Sequence, residues 1–162
     1  MTDAPLDQFQ AIDAMTAFAP AVVLDTNVVL DWLLFRDSGC AALAEQLQAG
    51  RLNWHATASM RSELASVLPR PELLDRSPDS DHILSTFDRW ARICPELHNT
   101  AGSRGKLRCR DPDDQKFIDL AVTVGARWLF SKDRAVLALA PAARAHGIGV
   151  LTPARWQQLL AG

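Results

Sequence analysis

The chain contains no tyrosine and only three cysteines, and neither sign of charge dominates it. Cys40, Cys94 and Cys109 are odd in number and widely spaced, which excludes a disulfide framework and a thiol-pair metal site and fits a reducing cytoplasm. Seventeen basic residues against 19 acidic ones leave a net charge of −2, so the whole chain lacks the basic excess of a general nucleic-acid binder. No Lys or Arg precedes Arg36, while Asp3, Asp7 and Asp13 make the first residues acidic; the basic region of a signal or transit peptide is missing. The apolar run Ala17 to Leu24 has eight residues, far too few to span a bilayer. Internal repeats and low-complexity tracts are absent as well.

What is present is enough for a folded core. Hydrophobic residues make up 48% of the chain and charged residues 22%, which excludes wholesale disorder. A chain of 162 residues supports one domain that buries roughly 70% of its unfolded surface. Residues 1–20 read as an acidic arm or short helix, and 21–162 as a single domain. Within that domain strand-like and helix-like segments alternate. Ala21–Leu24, Leu52–Ala56, Trp128–Phe130 and Ile148–Leu151 read as strands. Helical stripes include Ala42, Leu43 and Leu47 up to Gly50, then Ile83, Leu84, Phe87 and Trp90, and finally Trp156, Leu159 and Leu160. Residues 69–82 and 95–110 read as loops. The alternation predicts an α/β fold with a mostly parallel sheet covered on both faces.

Four carboxylates stand at the edges of these elements. Asp25 follows the aliphatic run Ala21-Val22-Val23-Leu24, and a strand that hands a carboxylate to a turn is where open α/β sheets place ligands. Glu63 lies in the helical segment Ser59–Leu68, beside the stripe Leu64, Val67 and Leu68 that Pro69 ends. In Asp111-Pro112-Asp113-Asp114, Asp111 suits an N-cap, Pro112 the first helical position, and the next two acids the positive end of the helix dipole. Asp114 shares a face with Phe117, Ile118 and Ala121, whereas Asp113 and Lys116 point elsewhere. Asp133 comes just after the Trp128–Phe130 strand. If Asp25, Glu63, Asp114 and Asp133 converge, their repulsion calls for a divalent cation, and oxygen ligands select Mg2+ or Mn2+ over softer metals. Metal-dependent phosphodiester hydrolysis is the matching chemistry.

At these positions the chain resembles the PIN-domain ribonucleases, especially the branch described as toxin components of bacterial toxin–antitoxin systems. The residues that carry the resemblance are Leu24-Asp25-Thr26-Asn27-Val28, Glu63-Leu64, Asp111-Pro112-Asp113-Asp114 with Lys116-Phe117 and Leu120-Ala121, and Ser131-Lys132-Asp133-Arg134. They span roughly 21–152 in the right order. The resemblance implies a PIN-like three-layer α/β/α sandwich and makes Asp25, Glu63, Asp114 and Asp133 the acidic metal site, supported by hydrogen bonds from Asn27 and Ser131. It also implies cleavage of single-stranded or looped RNA to a 5′-phosphate and a 3′-hydroxyl, a homodimer, and an antitoxin partner. The second aspartate that this branch often carries after the last one is replaced here by Ala135.

Other readings stay open at this point. A haloacid-dehalogenase-type magnesium phosphohydrolase also begins with an aspartate after a strand, but Asn27 stands where its second aspartate belongs. A non-catalytic protein-interaction domain is the other alternative. Arg104, Lys106, Arg108 and Arg110 alternate before Asp111 and are candidate RNA contacts if extended; a solvated loop explains them equally. Trp54 is the one tryptophan outside a core-like pattern, hence a candidate surface aromatic, although a role without base stacking is the commoner one for such a residue; Val29, Leu33 and Leu34 are a candidate apolar surface that burial within the monomer explains equally.

Overall fold

The computed structural model describes residues 19–96 and 107–162. Five short strands form one sheet in the order β3-β2-β1-β4-β5, every neighbouring pair parallel. They are β1 (Ala21–Leu24), β2 (Asn53–Thr57), β3 (Ala91–Cys94), β4 (Trp128–Phe130) and β5 (Gly149–Leu151). The helices between them are α1 (Thr26–Leu33), α2 (Ala41–Gln48), α3 (Ala58–Val67), the single turn α4 (Pro71–Leu74) and α5 (Ser80–Trp90). They continue with α6 (Gln115–Val124), α7 (Arg134–Leu137), α8 (Ala140–Ala143) and α9 (Pro153–Ala161). The result is the expected three-layer α/β/α sandwich.

Val22, Val23 and Leu24 of β1 are all buried, as a central parallel strand demands, because both sheet faces carry helices. Right-handed crossovers assign the layers: β1 to β2 to β3 winds one way, β4 to β5 the other. Accordingly α1, α2, α3 and α5 lie on one face, joined by α9, which packs on α2, while α6 covers β1 and β4 from the opposite face. Trp156 of α9 meets Phe130 and Trp128 edge-on at 5.3 and 6.5 Å, and Trp54 sits between Trp32 and Phe87 in the same way. Such aromatic contacts add to a core already dense in Leu and Val.

Several expectations need correction. Trp54 is not a surface aromatic: it is 1% exposed, because β2 is the second strand in from the sheet edge and α5 covers it. Val29 is fully in the core, and Leu33 and Leu34 pack against it, so they form no free apolar surface. β3 was not expected, since its pattern has exposed Arg92 and Ile93 in the middle and it follows α5 without a connecting turn. The first predicted loop contains α4 and the first turn of α5. The predicted arm lies outside the described residues except for Ala19 and Pro20, and so does most of the second loop.

Candidate metal centre

The sheet order reverses its winding between β1 and β4, and the carboxyl ends of those two strands deliver the acidic residues. Leu24 pairs with Phe130, so the next residues of both strands emerge side by side, and the Asp25 amide donates to the Phe130 carbonyl at 2.9 Å. Asp25 is 3% exposed and caps α1 directly, without an intervening turn. Ser131, wholly buried, donates its hydroxyl to Asp25 Oδ2 at 2.7 Å and accepts the Asp133 amide at 3.0 Å. Asp133 in turn caps α7, its Oδ1 accepting the Ala135 amide at 2.7 Å. Two strands, two caps and one serine thus hold two carboxylates beside each other.

Asp114 arrives from the other helical layer. Asp111 caps a 3-10 turn, Pro112–Asp114, accepting the Asp113 amide at 3.0 Å, and the turn leads straight into α6. Gln115 anchors the preceding segment by accepting the Cys109 amide at 2.7 Å and donating to the Leu107 carbonyl at 2.9 Å. Ligand oxygens of Asp111, Asp114 and Asp133 all lie within 4.8 Å of one another. Asp111 was expected only as a cap; among the described residues its Oδ1 alone serves the cap, and the i, i+3 spacing to Asp114 on one helical turn is the signal that points to a second task.

Glu63 stands apart from this trio. Its Oε1 accepts from Lys116 Nζ at 2.9 Å, and its Oε2 accepts a short hydrogen bond from the Thr26 hydroxyl. Lys116 therefore does not point elsewhere as its helical position suggested, because its long side chain reaches across to α3. Lys132 is turned away from the carboxylates, its Nζ 2.8 Å from Asp31 Oδ2 on α1. The contact from Asn27 to Asp25 is a backbone one at 3.4 Å, and the Asn27 side chain is exposed. Arg108 and Arg110 are exposed next to Asp111, while Arg104 and Lys106 lie outside the described residues.

The electrostatics follow from this crowding. Burial pushes the Asp114 carboxyl up to about 7, with further lift from the charges of Asp25, Asp133, Asp111 and Glu63. Asp25 is raised as well, chiefly by burial and in smaller part by Asp133 and Glu63, against the lowering effect of its bonds to Ser131 and the Asn27 amide. Asp114 Oδ2 is buried and has no hydrogen-bond partner among the described residues. An orphaned carboxylate oxygen beside two further carboxylates is a donor set of hard oxygens, which fits Mg2+ or Mn2+.

A family model described as PIN domain matches residues 21–135, from β1 into α7. No curated protein and no solved structure matches the chain. The matched stretch covers most of the sequence and contains every carboxylate described above, and the chain belongs to the PIN-domain family.

Proposed function

We propose that the chain is a metal-dependent endoribonuclease that hydrolyses phosphodiester bonds of single-stranded or looped RNA. The observation that carries the reading is the convergence of Asp111, Asp114 and Asp133 at the strand ends, with an unpartnered oxygen on Asp114. Asp114, Asp133 and Asp111 would hold Mg2+ or Mn2+, with Asp25 behind them. Bound there, the cation supplies charge compensation, polarisation of a phosphate oxygen and an acidified water. The chain's own part is positioning. Ser131 locks the rotamer of Asp25, the caps lock Asp111 and Asp133, and Lys116 with Thr26 fixes Glu63 at the rim. Glu63 keeps its place in the proposed acidic quartet as a neighbour that shapes the field. The exposed Arg108 and Arg110, with Arg104 and Lys106 before them, would draw the phosphate backbone toward Asp114.

The finer biological reading is a toxin in a toxin–antitoxin pair, acting in the cytoplasm as a homodimer and silenced by an antitoxin over the acidic cleft. Its support is the sequence resemblance given above. Growth arrest on expression, relieved by co-expression of a neighbouring open reading frame, tests the toxin role, and light scattering tests the dimer. The decisive experiment for the activity is cleavage of end-labelled RNA and matched DNA with Mg2+, with chelator and with Asp114→Asn. Internal RNA cuts lost in both controls are expected. Equal cutting by wild type and variant would overturn the assignment, and cutting of DNA alone would overturn the substrate class.

A further inference from the structure

A second cleft, of about 380 Å³, opens between the end of α1, the end of α2 and the outer side of α5. Trp32, Arg36, His82, Thr86, Arg89 and Trp90 are among its lining residues, and the Thr86 hydroxyl donates to the His82 carbonyl at 2.8 Å. Trp90 directly precedes β3, which puts it at the amino ends of the strands, whereas the carboxylates crown the opposite ends. The cleft is therefore separate from the candidate metal centre, and the proposed hydrolysis uses none of its residues.

Among the described residues, the ion pairs are Arg61 with Asp88, Lys116 with Glu63 and Lys132 with Asp31, so neither Arg36 nor Arg89 has a carboxylate partner. The Arg89 guanidinium lies 5.0 Å from the Trp90 ring centroid, a cation–π contact that orders it at the wall. Arg36 sits in the left-handed backbone region at φ 51°, an uncommon conformation for a residue with a side chain and one that the fold holds at this cleft. Beneath the wall, Trp54 packs on Trp32, and its buried indole N–H has no partner among the described residues.

Two guanidinium groups prefer phosphate, and the part of each half-buried indole that reaches the cleft prefers a flat ring. A simple carboxylate would leave the indoles unused, and an extended acidic peptide exceeds the cleft. We propose that this cleft binds a nucleoside phosphate, its base against the Trp32 and Trp90 walls and its phosphate between Arg36 and Arg89. The unit is either a free nucleotide or one residue of an RNA strand.

The test uses the full chain in chelator, so that no RNA is cut, and reads tryptophan fluorescence during titration with AMP, UMP, adenosine, inorganic phosphate and a ten-nucleotide RNA. Saturable quenching by AMP or UMP is expected, weakened at least tenfold in the Arg36→Ala, Arg89→Ala double variant. Both arginines are exposed, so the variant keeps its fold. RNA that displaces AMP assigns the cleft to a strand; AMP binding without competition by RNA assigns it to a free nucleotide. Absence of saturable binding by any nucleotide or RNA, equal binding by the double variant, phosphate alone matching AMP, or displacement of AMP by polyglutamate would each overturn the proposal. Because binding is read without cleavage, nucleotide binding by a chain that cuts no RNA would refute the hydrolase reading alone.

Discussion

Asp114 is where folding and metal binding pull in opposite directions. Its carboxyl titrates near 7 in the folded chain against an ordinary value of 3.8, so the folded state holds a proton that the unfolded state has released between those limits. Stability from this proton is present below about pH 4 and is lost as pH rises through 7. Metal-free protein should therefore melt at a lower temperature at pH 7.5 than at pH 5, and Asp114→Asn should flatten that difference. At pH 7.5 the variant should gain about 1 kcal/mol, a figure reduced for the solvent that reaches this partly buried site. Parallel melting curves for wild type and variant across this pH range would reject the assignment. Ser131 works in the other direction. Removing its hydroxyl leaves buried Asp25 Oδ2 without its 2.7 Å donor, so Ser131→Ala should cost about 1–3 kcal/mol in urea denaturation. Asp111 was legible as a cap but not as a neighbour of Asp114 and Asp133, because capping explained it completely in one dimension.

At the scale of elements, the strongest constraint is the last strand pair. Trp128 faces Gly149 across β4 and β5, and a Cβ on Gly149 would lie 2.3 Å from the indole carbons Cε3 and Cζ3. Trp128 cannot retreat freely, since Trp156 and the Arg127 guanidinium also pack on it. Gly149→Ala should destabilise by about 2 kcal/mol and loosen the β4–β5 pairing, seen as faster amide exchange in both strands. Wild-type exchange rates in the variant would show that the ring moves aside at no cost. The elements that were legible carry an apolar period or a cap: α6 has Phe117, Ile118, Leu120 and Ala121 buried behind Asp111 and Pro112. β3 was illegible because an edge strand of four residues needs burial at only its ends, and its register comes from β2.

For the molecule as a whole, the topological switch between β1 and β4 turns scattered acids into one field, and ligand linkage should report it. Mg2+ at a hundredfold excess over its dissociation constant should stabilise the wild type by about 2.7 kcal/mol in thermal melts, reversed by chelator. Asp114→Asn and Asp133→Asn should lose most of that gain. Glu63→Gln should keep it, because Glu63 already has Lys116 and Thr26 as partners and lies outside the trio. Equal losses for all three variants would place Glu63 among the ligands. Among the described residues no helix is long and apolar enough to cross a membrane.

Local chemistry by itself determined the alternation of parallel strands and helices, the cap at Asp111, and the position of acids at element ends. Each of those depends on neighbours within a turn or two, which a linear pattern records. The tertiary structure alone shows which carboxylates come within reach of one cation. Asp111 joins Asp114 and Asp133, Glu63 turns to Lys116 53 residues away, and Trp54 goes inside. Those outcomes rest on distances between side chains from different layers, set by strand order and by the reach of long side chains, and neither is written in the spacing of residues along the chain.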